Sequence, residues 1–293
     1  MISFAPLFYS KLINNKEIIY DISYYDVTLI DGVKLFESQV TLNSNLRCNF
    51  DKSEIYSDVD GGGTSKYKNI AIYKSLSEAL ERWAFYDNVN STSGRVQFGF
   101  DINPTTTGMA AFPSLTIKCS RALAYNEAVE RFILDCFNHG IGKYVEHKTE
   151  INGLRHFELL TPFENHYVSI LNYNSGSRNY YGFSSGKSIK DSFSHSLIEL
   201  SRNIRVLEKI SNNFNYEKLN NINDKRLIYF SKDEGNIEFL EKFLKLSNTI
   251  PFRPEIKIDS EIKGEWSKYT KVYRILFEQK HKENFDQLNY FLF

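Results

Sequence analysis

Cysteine is scarce in this 293-residue chain. Cys48, Cys119 and Cys136 are odd in number and show no C-x-x-C or Cys/His spacing. This excludes a disulfide framework or a thiolate zinc site and suits a reducing compartment. An excess of charge of either sign is also missing: Lys plus Arg and Asp plus Glu each total 36. No global field draws the chain to nucleic acid or to an anionic membrane surface. No apolar run reaches the roughly 20 residues that cross a bilayer, and no basic stretch followed by an apolar core opens the chain. These absences point to a cytoplasmic protein with no nucleic-acid or membrane partner. Only six prolines interrupt the sequence, so obvious linkers are few. Hydrophobic residues make up 42 %, enough for a sizeable core, and 23 Phe with 19 Tyr indicate an aromatic-rich core containing sheet.

What is present is a repeated acidic word on helices. Glu78, Glu81 and Arg82 occur in Glu-Ala-Leu-Glu-Arg, and Glu127, Glu130 and Arg131 in Glu-Ala-Val-Glu-Arg. Residues at i, i+3 and i+4 share a helix face, so each run presents two carboxylates with a guanidinium. A third helix carries His195 and Glu199. Isolated pairs of this kind ordinarily stabilise a solvated helix by at most about 0.5 kcal/mol. Carboxylates brought together from several helices would instead require a cation or a protonated partner between them.

The first helix is predicted over residues 69–87, with Leu76, Leu80 and Trp83 on its buried stripe and the acids off it. The second runs from about residue 115 or 116 to 139, closed by Gly140. The third spans residues 189–210, with Phe193, Leu197, Leu200 and Ile204 on one face. Strands are expected at residues 17–22, 25–30 and 33–40, with a turn at Asp31 and Gly32, and around residues 153–160 and 167–172. The glycines at 61–63 read as a break before the first helix. They do not match a Walker loop, because no Gly-Lys-Ser or Gly-Lys-Thr follows. Thr105 to Thr107 read as a loop capped by its own hydroxyls or facing a cleft. The tail reads as strand, helix, strand and strand, at residues 226–230, 236–246, 255–258 and 271–277. The polar stretch 211–224 is the expected linker. Strand, glycine-rich turn and acidic helix thus recur as a coarse internal repeat.

These segments resemble the YcaO family, which uses ATP to activate backbone amides of peptides. The resemblance rests on Gly61-Gly62-Gly63 ahead of the Glu78 run, Gly108-Met109-Ala110-Ala111 ahead of the Glu127 run, and Tyr181-Gly182-Phe183 ahead of Ser196-Leu197-Ile198-Glu199, in family order over residues 60–205. It implies an α+β fold in which antiparallel sheets carry long acidic helices converging on a nucleotide cleft. The whole chain, 1–293, would be one such domain: N-terminal strands to residue 60, an ATP-site core over 61–210 and a C-terminal α/β extension over 225–293. Implied cofactors are ATP and Mg2+. Glu78, Glu81, Glu127, Glu130 and Glu199 would hold metal, while Lys74, Glu78, Arg82, Arg131, His195 and Glu199 would bind the nucleotide. No catalytic residue is assigned.

The implied activity is modification of a ribosomally made peptide, as in bacteriocin biosynthesis. A Cys, Ser or Thr side chain attacks an amide carbon, and phosphorylation of the amide oxygen leads to an azoline; external sulfide would give a thioamide. The precursor peptide, a separate leader-binding protein and a homodimer are the implied partners. The chain departs from the family where Lys74 replaces a serine, where Phe112, Cys119 and Leu123 occupy the Ser, Glu and Gln positions of the second motif, and where His195 replaces an arginine. The alternative is a degenerate, non-catalytic subunit that binds peptide or a partner in a modification complex, its acids neutralised internally by Lys74 and Arg131.

Overall fold

The computed structural model describes residues 5–47, 53–56, 58–211, 213–278 and 287–292; Cys48 lies outside them. The chain forms two compact units, interleaved in sequence. The first comprises Met1–Phe50, Asp58–Ala128 and Glu255–Glu278, the second Asp51–Ser57, Val129–Pro254 and Gln279–Phe293.

In the first unit a short helix, α1 (Ala5–Tyr9), precedes β1 (Ile19–Thr28) and β2 (Lys34–Leu42). The hairpin turns at Gly32, whose φ of 83° suits glycine, and the two strand segments expected before it form the one strand β1. The third strand, β3 (Gly61–Ser65), pairs antiparallel with β2, so the expected break at the glycines is a strand. The physical reason is close packing against α2 (Lys68–Val89). A Cβ on Gly63 would sit 2.1 Å from the Ala71 carbonyl oxygen, and only a residue without a side chain lets the helix approach this near. Helix α2 buries the expected Leu76, Leu80 and Trp83, and Trp83 meets Trp266 edge-on at 5.7 Å between ring centroids. After α3 (Thr92–Gln97), the strand β4 (Met109–Phe112) leads to α4 (Lys118–Asn138). Strands β9 (Ile256–Ile262) and β10 (Lys271–Phe277) complete the unit in an antiparallel sheet ordered β4-β10-β9.

The second unit repeats the device. Strands β5 (Tyr144–His147), β6 (Leu154–Leu159), β7 (Tyr167–Asn174) and β8 (Asn179–Gly186) form an antiparallel sheet in sequence order, with α5 (Ile189–Leu207) packed on β8 and β7. Here Gly182 plays the part of Gly63: a Cβ on it would lie 2.3 Å from the Ser196 carbonyl oxygen. An aromatic core closes this unit. Phe157 stacks on Phe243 at 4.3 Å, and Phe239 lies 4.7 Å from Phe291. Burying each such ring contributes roughly 1.5–3 kcal/mol.

Residues 226–230 are helical rather than a strand, within α6 (Ile222–Ser231). The Asn221 side chain accepts from the backbone N–H groups of Asn223 and Asp224, a cap that starts a helix inside the expected linker. Arg226 on this helix is buried and donates to the Gln287 and Leu292 carbonyls, tying down the end of the described chain. α7 (Asp233–Leu244) follows. Among the described residues no helix is long and apolar enough to cross a membrane.

Candidate functional site

The sequence-predicted residues fall into two groups, one in each unit. In the first unit the close packing of β3 on α2 brings the Gly62 backbone N–H to Glu78, donating to Oε2 at 2.9 Å. One turn along α2, Glu81 accepts from the Ala111 backbone N–H of β4. Burial first, then the Glu127 and Glu78 carboxylates, hold Glu81 well above the usual carboxylate range, against the opposing pull of Arg82 and of that N–H. Burial by itself would lower Arg82, but Glu78, Glu81, Tyr86 and Glu127 outweigh it and raise it. Arg82 is therefore the internal counter-ion of three carboxylates. Lys74, on an exposed part of α2, donates from Nζ to the Thr64 carbonyl at 3.1 Å.

Behind this group stands a network that sequence reasoning missed. Tyr86 donates to buried Asp60 at 3.1 Å, and Asp60 also accepts from the Leu42 N–H at 2.8 Å and from Arg47 Nε at 3.0 Å. Asp60 immediately precedes β3, so the network fixes the strand that holds Glu78. Its residues are scattered in sequence and carry no motif.

The second unit uses the same construction. The Ser185 N–H at the end of β8 donates to Glu130 Oε2 at 2.8 Å. Glu130 is buried, and burial is the largest influence raising it; Glu199 adds to the rise, while Arg131 and the Ser185 N–H oppose it. Arg131 Nε lies 3.9 Å from Glu130 Oε1, and its guanidinium faces the Phe183 ring at 5.8 Å. His195 is exposed, with Nδ1 3.4 Å from the Ser185 carbonyl. Glu199 pairs with Arg202 at 2.7 Å. Arg202 was legible as an i+3 partner of Glu199 but has no place in the resemblance.

Of the residues at departed motif positions, Leu123 is 43 % exposed on α4, and Cys119 is half-buried on the same helix. Neither is an oxygen donor. The loop at 105–107 follows its self-capped reading: the Thr105 hydroxyl lies 2.6 Å from Asn103 Oδ1 and 2.8 Å from the Thr107 hydroxyl.

Among the described residues no group of three or more His, Cys, Asp or Glu side chains is placed to hold a metal ion. The donor chemistry nevertheless suits a hard cation. Glu78, Glu81 and Glu127 offer only carboxylate oxygens, and the raised Glu81 is the state that a divalent cation would relieve.

No family model and no curated protein matches the chain by sequence. By structure it matches YcaO from Methanopyrus kandleri, solved bound with AMPPCP and Mg2+, with a TM-score of 0.55 and 11 % sequence identity over 92 % of this chain and 88 % of that one. The mixed α+β architecture of antiparallel sheets carrying acidic helices is therefore a YcaO-like fold.

Proposed function

We propose that this chain is an ATP- and Mg2+-dependent enzyme that activates backbone amides of a ribosomally made peptide, with cyclodehydration of Cys, Ser or Thr to azolines as its reaction and thioamide formation as a variant. The observation that carries the reading is the strained acid group of the first unit. Three carboxylates gather around one arginine, and Glu81 is held far above its ordinary range. Strongly perturbed carboxylates of this kind cluster at functional sites. The likeness to a structure holding AMPPCP and Mg2+ supports the choice of ligand.

In this reading Glu78, Glu81 and Glu127 hold magnesium in the first unit, and Glu130 and Glu199 serve as ligands in the second. Bound magnesium supplies charge neutralisation during phosphoryl transfer. Arg82 and Arg131 orient the carboxylates, and Arg202 holds Glu199. Lys74 and His195 offer cationic contacts to phosphate, Lys74 as a point charge and His195 when protonated.

A second reading is favoured by one observation. Arg82 already supplies a cation inside the first acid group, with Lys74 engaged on the Thr64 carbonyl, as in a subunit that binds peptide or partner without turning over ATP. Co-expression with a candidate precursor peptide rich in Cys, Ser and Thr, together with its leader-binding protein, separates the two. The enzyme reading expects the peptide's mass to fall by one water for each azoline, and expects Glu78→Gln and Glu127→Gln each to leave the mass unchanged. Equal product from both variants would refute the assignment, and no product from the parent chain with its partners would favour the subunit reading.

A further inference from the structure

The outer strand of the first unit's leading sheet has no counterpart in the site just described. β1 is the edge of a sheet ordered β1-β2-β3, and among the described residues it pairs with β2 alone, through nine of its ten residues. Half of the main-chain N–H and C=O groups of such a strand point away from its neighbour. Edge strands are ordinarily protected by lysine, proline, a central bulge or a covering segment. β1 contains neither lysine nor proline, and its one irregularity, between Ile19 and Asp21, falls at its start, where Lys16 Nζ donates to the Tyr20 carbonyl.

Asp21, Ser23, Tyr24, Tyr25 and Asp26 are all exposed, so side chains directed to both faces reach solvent along the middle of the strand. Tyr20 is 69 % and Tyr24 51 % exposed, large aromatic surface that this unit covers only in part. The charges are one-sided. Glu17, Asp21, Asp26 and Asp31 lie between Lys16 and Lys34 with no basic residue among them. Lys68 and Lys16 touch the strand: Lys68 Nζ caps the Tyr24 ring at 3.4 Å, and Lys16 Nζ donates to the Tyr20 carbonyl at 3.4 Å.

We propose that β1 is a docking edge for an extended basic peptide, which adds to the sheet as a further strand, its main chain bonded to β1 and its Lys or Arg side chains set against Asp21 and Asp26. Main-chain bonding would tolerate varied sequence, while the acids and tyrosines select charge and an extended form. That the peptide is the enzyme's substrate rests on the function proposed above; the mode of binding does not.

The test is fluorescence anisotropy of the full chain with a labelled peptide of alternating lysine and valine. Binding is expected, with roughly tenfold loss on full N-methylation of the peptide and a similar loss in an Asp21→Lys, Asp26→Lys double variant, whose residual binding should depend less on salt. The double variant should bind AMPPCP and Mg2+ as the parent does, since neither residue belongs to the acid groups. Equal binding of the N-methylated peptide, or of an alternating glutamate and valine peptide, would overturn the proposal. So would absence of peptide binding with the chain self-associated through this edge. Peptide binding without nucleotide binding would leave the docking edge standing and remove the ATP reading.

Discussion

Replacing Arg82 with methionine destabilises the protein by about 1–3 kcal/mol at neutral pH, between the scale of an exposed ion pair and that of a buried one, because Arg82 and its carboxylates are half-buried. Methionine keeps much of the aliphatic bulk, so the loss is electrostatic rather than a cavity effect. The guanidinium answers Glu78, Glu81 and Glu127 together, and without it their repulsion is met only by protonation. The sign with pH follows. Removing the cation raises Glu81 further, so the deficit is largest at high pH and shrinks as pH falls and Glu81 takes up its proton. If the group holds magnesium, millimolar Mg2+ restores part of the lost melting temperature. Thermal unfolding of both proteins from acid to mildly alkaline pH, with and without Mg2+, measures all three effects. A loss independent of pH would mean that Arg82 acts through packing alone.

Glu81→Gln has the opposite effect and stabilises the metal-free protein by about 0.5–2 kcal/mol. Glu81 is raised in the folded state by burial, Glu127 and Glu78. Its contribution to stability is therefore fully present below the unfolded-state pKa and is lost as pH rises through the folded-state value. Glutamine keeps the neutral form at every pH. The variant's advantage thus opens as pH rises and closes in acid. Denaturant titrations at several pH values should show this, with no change in the denaturant dependence. A variant less stable than the parent at neutral pH would show that the Ala111 N–H and Arg82 outweigh the repulsion. A stabilised variant that has also lost magnesium binding would mark Glu81 as a residue kept for function at the expense of stability.

The helices and their acids were legible because the signal is local. Leu76, Leu80 and Trp83 recur at helical spacing, and Glu78 and Glu81 lie off that stripe, as α2 bears out. The last strand was legible too, since the run of β-branched and aromatic residues expected as a strand over 271–277 coincides with β10. The glycines at 61–63 misled because glycine ordinarily marks a turn; their role in β3 depends on Ala71 and Ser75 of the facing helix, which sequence does not place. Residues 226–230 misled for a different reason. Arg-Leu-Ile-Tyr-Phe carries strand-forming side chains, and the signal that decides for helix is the Asn221 cap outside the run. Helical spacing likewise gives the face on which an acid lies but not the groups it meets. That Glu78 would take the Gly62 N–H and Glu130 the Ser185 N–H, and that Asp60 with Tyr86 would stand behind the first, required the fold.

The central claim, that these acid groups exist to hold a nucleotide with its metal, is met most directly by calorimetric titration of the purified chain with AMPPCP and Mg2+, alongside Glu78→Gln. Binding that requires magnesium is expected, and its loss in the variant, whose Gly62 contact and proposed metal ligand are both altered. Absence of binding by the parent chain, even with candidate partner proteins present, would contradict it and leave the acids as an internal ion group of a subunit that does not use ATP.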